Sequence, residues 1–176
     1  MQTGMESASA AHLLWRAVGF ATVFASLELA WQSARGTPIE RFVIHSCIVR
    51  PAAAVVNLVT PEVHARAVDF SLYAVGGGLN VLNGCDGLGA LFLLAGAFAI
   101  IPVPWRLRPA GLLLGGIVVY AVNQARILGL FYAYRADHAL FDSLHASVAP
   151  ILVILLVAGY FYGWLVHAAH RLGPAT

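Results

Sequence analysis

Three apolar runs, residues 88–103, 107–133 and 144–166, constrain this chain more than any other feature. A bilayer crossing takes about 20 apolar residues. Inside lipid a lone segment must satisfy its own backbone, so such runs fold as helices. Composition points the same way: 60% of residues are hydrophobic and 10% charged, against about 45–50% and 25% in soluble domains. Mean hydropathy is +0.81. The expected fold class is an all-α polytopic membrane protein, one domain over 176 residues.

Two further runs bring the expected crossings to about five. Residues 13–31 are long enough to span, and a secretory signal would need positive charge ahead of Arg16, where there is none. Residues 39–59 carry Arg41, His45, Arg50 and Pro51, so an interfacial helix is the alternative to a span. The span is preferred because charges within a membrane can face the bundle interior. Between residues 60 and 83 the period drops to two. Val68, Phe70, Leu72 and Ala74 alternate with polar neighbours, Gly76-Gly77-Gly78 follows, and residues 79–83 alternate again. This predicts an extracytoplasmic β-hairpin of 68–74 and 79–83 that feeds directly into Cys85.

All ten basic residues are arginine and the net charge is +2. They are dispersed along the chain, which gives no reason to expect nucleic acid as a partner. Five crossings would put Arg35, Arg41, Arg106, Arg108 and Arg171 on one side, the cytoplasmic one by the positive-inside rule. The hairpin, Cys85 and the polar connection 134–143 would then face outward.

That outer level gathers chemistry. Cys85 sits between Gly84 and Gly87 where the third run begins. A thiol at a helix N-terminus is expected to have a lowered pKa, while the adjacent Asp86 works against this. Arg126 stands roughly 28 Å up the fourth run at 1.5 Å per residue, and His145 opens the fifth. A nucleophile, a fixed cation and an acid/base at one depth are what acyl transfer from a peptide bond requires. Asn123, three residues before Arg126, is placed to hold the guanidinium, and Asp142 to orient His145. The plainer readings are an Arg126 that snorkels, an Asp142 that caps a helix, and a partnerless His145, with His138 as the rival histidine. An extended substrate could add to the hairpin edge near Asn80, Asn83 and Gly84. Cys47 and Cys85 have no metal-ligand spacing, and no cofactor is expected. A haem site would want two histidines at matching depth, and His45 alone lies mid-segment.

Four pieces then combine: Asn83-Gly84-Cys85-Asp86-Gly87, Pro102-Val103-Pro104-Trp105-Arg106, Asn123-Gln124-Ala125-Arg126-Ile127 and Phe141-Asp142-Ser143-Leu144-His145. In order and spacing, from about Arg50 to His145, they resemble the exosortase/archaeosortase family, in particular the short bacterial members of the exosortase H or M kind. The resemblance implies a membrane cysteine protease/transpeptidase with Cys85 as nucleophile, Arg126 as transition-state stabiliser and His145 as acid/base. It implies exported protein substrates bearing a C-terminal motif, a transmembrane helix and a basic tail. It also implies a bacterial inner membrane location with the site facing the periplasm. The alternative from a different class is a non-catalytic scaffold for envelope or exopolysaccharide assembly.

Overall fold

The computed structural model describes residues 2–81 and 84–172. Five helical rods and one small sheet make up the described chain: α1 (Gln2–Ser33), α2 (Pro38–Val59), β1 (Arg66–Val68), β2 (Ser71–Ala74), β3 (Gly77–Asn80), α3 (Leu88–Ile100), α4 (Arg108–Ala136) and α5. The last consists of His138–Ser143, a π-helical stretch Leu144–Val148 and Ala149–Leu172. Among the described residues four helices are long and apolar enough to cross a membrane: Ala11–Ser33, Pro38–Val59, Trp105–Ala136 and His138–His170. The protein is therefore a helical membrane protein.

α3 is shorter than the run of 88–103 predicted. It stops at Ile100 because Pro102 and Pro104 cannot continue the hydrogen-bond ladder. The carbonyls left at its end are satisfied from the next helix: Arg108 donates to Ala99 O at 2.9 Å, Ile101 O at 2.8 Å and Val103 O at 3.0 Å. α3, α4 and α5 pack on one another around Leu94, Phe98, Ile101, Val119, Val153 and Val157.

α1 runs antiparallel to α3. Gly19 faces Ile100, Gly96 faces Phe20, and Gly89 lies against the Glu28 carboxylate. The indole Nε1 of Trp31 donates to Asp86 Oδ2 at 3.2 Å. The C-terminal end of α1 is thus at the Cys85 end of the bundle. This overturns the expected sorting of charge. Arg41, expected on the side opposite the hairpin, donates to Asp69 Oδ1 in the sheet's first turn at 3.3 Å.

After a first α-helical turn, Pro38–Arg41, α2 carries a π-helical stretch, Phe42–Val49, just ahead of Pro51. Proline has no N–H to offer the carbonyl four residues back, which is Cys47. Tyr120 Oη on α4 donates to that carbonyl at 2.9 Å, and Gln124 Nε2 donates to the next one, Ile48 O, at 3.2 Å. An orphan carbonyl among apolar side chains is costly, and Tyr120 removes that cost at Cys47.

The predicted two-stranded hairpin is a three-stranded antiparallel sheet in the order β1-β2-β3. The strands also begin and end elsewhere: Asp69 has φ 48°, so the chain turns in the middle of the run read as one strand. The alternation itself holds where it was strongest, with Leu72, Ala74, Leu79 and Val81 buried and Tyr73 exposed. These pack with Ile44, Val49, Ala52 and Val56 of α2 and with Ile127, Leu130 and Phe131 of α4. The glycines at the β2–β3 turn fit a tight contact. A Cβ at Gly77 would lie 2.9 Å from the Tyr134 ring, and Arg135 donates to Val75 O at 2.7 Å. The turn is clamped to the end of α4, where a free tip was expected.

Candidate active site

Cys85 and Arg126 meet although 41 residues separate them in sequence. Arg126 Nη2 lies 3.6 Å from Cys85 Sγ, and Nη1 donates to Gly84 O at 3.1 Å. One guanidinium therefore grips both the sulfur and the peptide just before it, in the fixed two-pronged geometry that only arginine has. The cysteine is half-buried.

Cys85 does not occupy the helix N-terminus itself. Gly87, at φ 80°, is the residue that precedes α3, and a Cβ there would sit 2.8 Å from Asn123 Cγ. The free Leu88 N–H is taken by Asp86 Oδ1 at 3.0 Å. Asp86 is buried, with its second oxygen on Trp31. The thiol pKa is raised, not lowered as the helix-terminus argument predicted: burial pushes it up, the Arg126 charge pulls it down less, and Asp86 adds a smaller upward push.

A raised thiol pKa means less thiolate at neutral pH, so alkylation of Cys85 should accelerate as pH rises into the alkaline range. Asp86→Asn removes an upward push and keeps an oxygen for Leu88 N–H. It should move the alkylation midpoint to lower pH, and Arg126→Gln should move it higher. A pH series of iodoacetamide labelling, read by mass spectrometry in a Cys47→Ala background, checks both directions. Equal midpoints in all three proteins would contradict this electrostatic account.

Asn123 does not hold Arg126. Its side chain packs on Gly87, and its Oδ1 is buried without a hydrogen-bond partner among the described residues. His145 lies in the π-helical stretch of α5, its ring stacked on Phe141 with centroids 5.3 Å apart. Its Nδ1 is also buried and unpartnered, so Asp142, which is exposed, does not orient it. The cap of this helix is Asp137, whose Oδ1 accepts from Ala139 N at 2.8 Å. No hydrogen bond joins His145 to Cys85 among the described residues. Leu144, the residue before His145, lines the same cleft as Arg126. His138 stacks edge-on against Tyr134 at 4.5 Å, and His45 Nδ1 is 2.7 Å from Asp69 O.

Among the described residues the buried side-chain polar atoms without partners are Asn123 Oδ1, Gln124 Oε1, Arg126 Nε and His145 Nδ1. Buried polar atoms in native folds are nearly always paired. Here the exceptions fall within two short stretches of sequence, both singled out for chemistry. Gln124 and Trp31 were missed as contributors. Gln124 stood within a quoted motif, whereas nothing local links Trp31 to a carboxylate 55 residues away. Of the expected substrate-side residues, Gly84 supplies its carbonyl to Arg126, Asn80 is exposed at the end of β3, and Asn83 lies outside the described residues.

Beside Arg126 a cleft of about 460 Å³ opens between α4 and α5. Ala121, Ala125 and Gly129 form its α4 wall, Leu152 and Val153 part of its α5 wall, and Arg126 is its charged lining residue. Among the described residues no group of three or more His, Cys, Asp or Glu could hold a metal ion. No protein-family model, curated protein or solved structure matches this chain.

Proposed function

We propose that this protein is a membrane cysteine protease/transpeptidase of the exosortase type. The observation that carries the reading is the Arg126 guanidinium bound to Cys85 Sγ, where the unpartnered buried polar atoms among the described residues come from the segments of Arg126 and His145. Cys85 Sγ attacks the carbonyl carbon of the scissile peptide while its proton passes to His145. Arg126 stabilises the oxyanion that forms beside the sulfur. Collapse breaks the C–N bond, the departing amine takes the proton from His145, and a thioester remains on Cys85. An acceptor nucleophile then attacks the thioester, loses its own proton and carries away the acyl group.

The substrates proposed are exported proteins with a C-terminal motif, a transmembrane helix and a basic tail. The α4–α5 cleft supports this reading. Its small residues at every fourth position let a partner helix approach closely, and its charged lining residue is the one on the nucleophile. Facing of the site to the periplasm of a bacterial inner membrane follows from exported substrates and not from the arginine distribution. The scaffold alternative draws on the raised thiol pKa and the structural role of Asp86. Co-expression with candidate signal-bearing proteins separates the two. New C-termini at the motif, found by mass spectrometry, support the enzyme, and unprocessed substrates across the panel contradict it.

The sheet offers the extended part of such a substrate a place to pair. β2 is the strand partner of β3 among the described residues, so the outer edge of β3 carries no strand. Val81 N–H is already spent on Phe70 O at 2.8 Å. In an antiparallel ladder the neighbouring residue points the other way, which turns the Asn80 N–H to the open edge. Asn80→Pro should therefore cripple substrate binding while the protein still folds, and Val81→Pro should destabilise the sheet. Crosslinking yield and thermal melting in detergent measure the two effects. Two prolines with the same effect would remove strand addition from the account.

A further inference from the structure

Both ends of α2 lie at the Cys85 end of the bundle. At its start, the Trp31 indole is bonded to Asp86, and Gly36 N donates to Glu40 Oε2 at 2.7 Å as the chain turns straight into the helix. At its finish, Thr60 Oγ1 is 2.8 Å from Tyr132 Oη, and Tyr132 is six residues beyond Arg126 on α4. Asn57 exchanges two hydrogen bonds with the Ala65 backbone, at 2.8 and 2.7 Å, and so ties the same end to the sheet. Arg41 and His45 both reach Asp69 on the opposite end of that sheet.

The helix has the length of a crossing. At 22 residues α2 would extend about 33 Å. Its hydrogen bonds to α4 among the described residues, made from Cys47, Ile48 and Thr60, reach Tyr120, Gln124 and Tyr132 and none nearer the start of α4. Its buried residues, Ile44, Ile48, Val49, Ala52, Ala53 and Val56, all belong to the sheet-side core. None belongs to the core shared by α3, α4 and α5.

The surface it leaves uncovered is amphipathic. Ile39 and Phe42 near one end are 60% and 63% exposed, and Leu58 and Val59 at the other 82% and 64%. Arg35, Arg41 and Arg50 are exposed among them. Apolar side chains interspersed with arginine suit the headgroup boundary of a bilayer, where rings and aliphatic chains enter the acyl region and guanidinium groups meet lipid phosphates.

We propose that α2 is a membrane-surface helix, lying in the lipid–water boundary on the Cys85 side and held there by phospholipid. The chain then crosses the bilayer four times, through α1, α4, α5 and the shorter α3 of 13 residues, with Gln2 and Leu172 opposite Cys85. α2 and the sheet together roof the Cys85–Arg126 pair. This placement does not depend on the proposed activity.

Single cysteines at Gly36, His64, Asp137 and Arg106, in a Cys47→Ala, Cys85→Ala background, test it with a membrane-impermeant maleimide on sealed vesicles of known orientation. Gly36, His64 and Asp137 should label from one side, and Arg106 from the other. Gly36 labelling together with Arg106, opposite to His64, would make α2 a crossing and overturn the proposal. Labelling of all four from one side would overturn it equally, because α3 and α4 would no longer cross. Variants that fail to label are repeated after detergent permeabilisation. A site that labels only then faces the vesicle interior and counts for that side.

Discussion

Replacing Cys85 by alanine is expected to abolish processing of a signal-bearing substrate, while Cys47→Ala processes at the normal rate. Both cysteines are free and partly buried, so exposure alone does not distinguish them. What distinguishes them is the partner. Arg126 lies on the Cys85 sulfur, whereas Cys47 contributes only its backbone carbonyl, to Tyr120. Without the sulfur no thioester forms, and neither positioning nor the cation can supply the missing nucleophile. The loss should therefore be complete within detection, with membrane insertion and melting in detergent unchanged. Processing that survives in Cys85→Ala would end the enzyme reading and leave the scaffold.

The second large effect belongs to Arg126. Arg126→Lys keeps the charge but cannot reach Gly84 O and Cys85 Sγ at once, since an ammonium lacks the planar fork that spans them. Loss of one preorganised donor to a developing oxyanion typically costs about 10²–10³-fold in rate. The lysine variant should fall by that much, within about an order of magnitude of Arg126→Ala, with substrate binding changed far less than turnover. Single-turnover cleavage of a purified substrate separates the two quantities. A lysine variant within a few-fold of normal would mean that the guanidinium serves position at the membrane boundary alone.

How far the site could be read from sequence depends on what kind of information each residue carried. The meeting of Cys85 with Arg126 was legible, because the length of an apolar helix converts residue number into depth. Contacts within a level were not. Asn123 shares a face with Arg126 by spacing, yet its side chain is drawn to Gly87, where the missing Cβ leaves room for it. Asp142 precedes His145 by one helical turn, yet the backbone there is π-helical, which changes the angular step on which that inference rests. The thiol pKa went the other way because burial of the sulfur outweighs the pull of the Arg126 charge, with Asp86 adding a smaller upward push.

The sidedness of α2 was hidden for a different reason. Hydropathy measures how apolar a segment is and says nothing of the direction in which it leaves a membrane. Residues 39–59 have the composition of a span, and the contacts behind the proposed surface placement are long-range: Trp31 on Asp86, Arg41 on Asp69, and Thr60 beside Tyr132. The sheet was half legible. Alternation marked Val68, Phe70, Leu72 and Ala74 as one face, and Leu72 and Ala74 are buried while Val68 is exposed, because a left-handed Asp69 leaves no trace in a pattern of apolar and polar letters.

The most direct test of the central claim is to catch the acyl group on Cys85. The purified protein, mixed with a signal-bearing substrate and acid-quenched before the first turnover completes, is digested and the peptide containing Cys85 examined by mass spectrometry. That peptide should carry the mass of the substrate's acyl portion, and neutral hydroxylamine should release it as a hydroxamate while restoring the free thiol. Substrate cleaved in the same mixture with Cys85 unmodified at every quench time, and cleaved equally by Cys85→Ala, would contradict it.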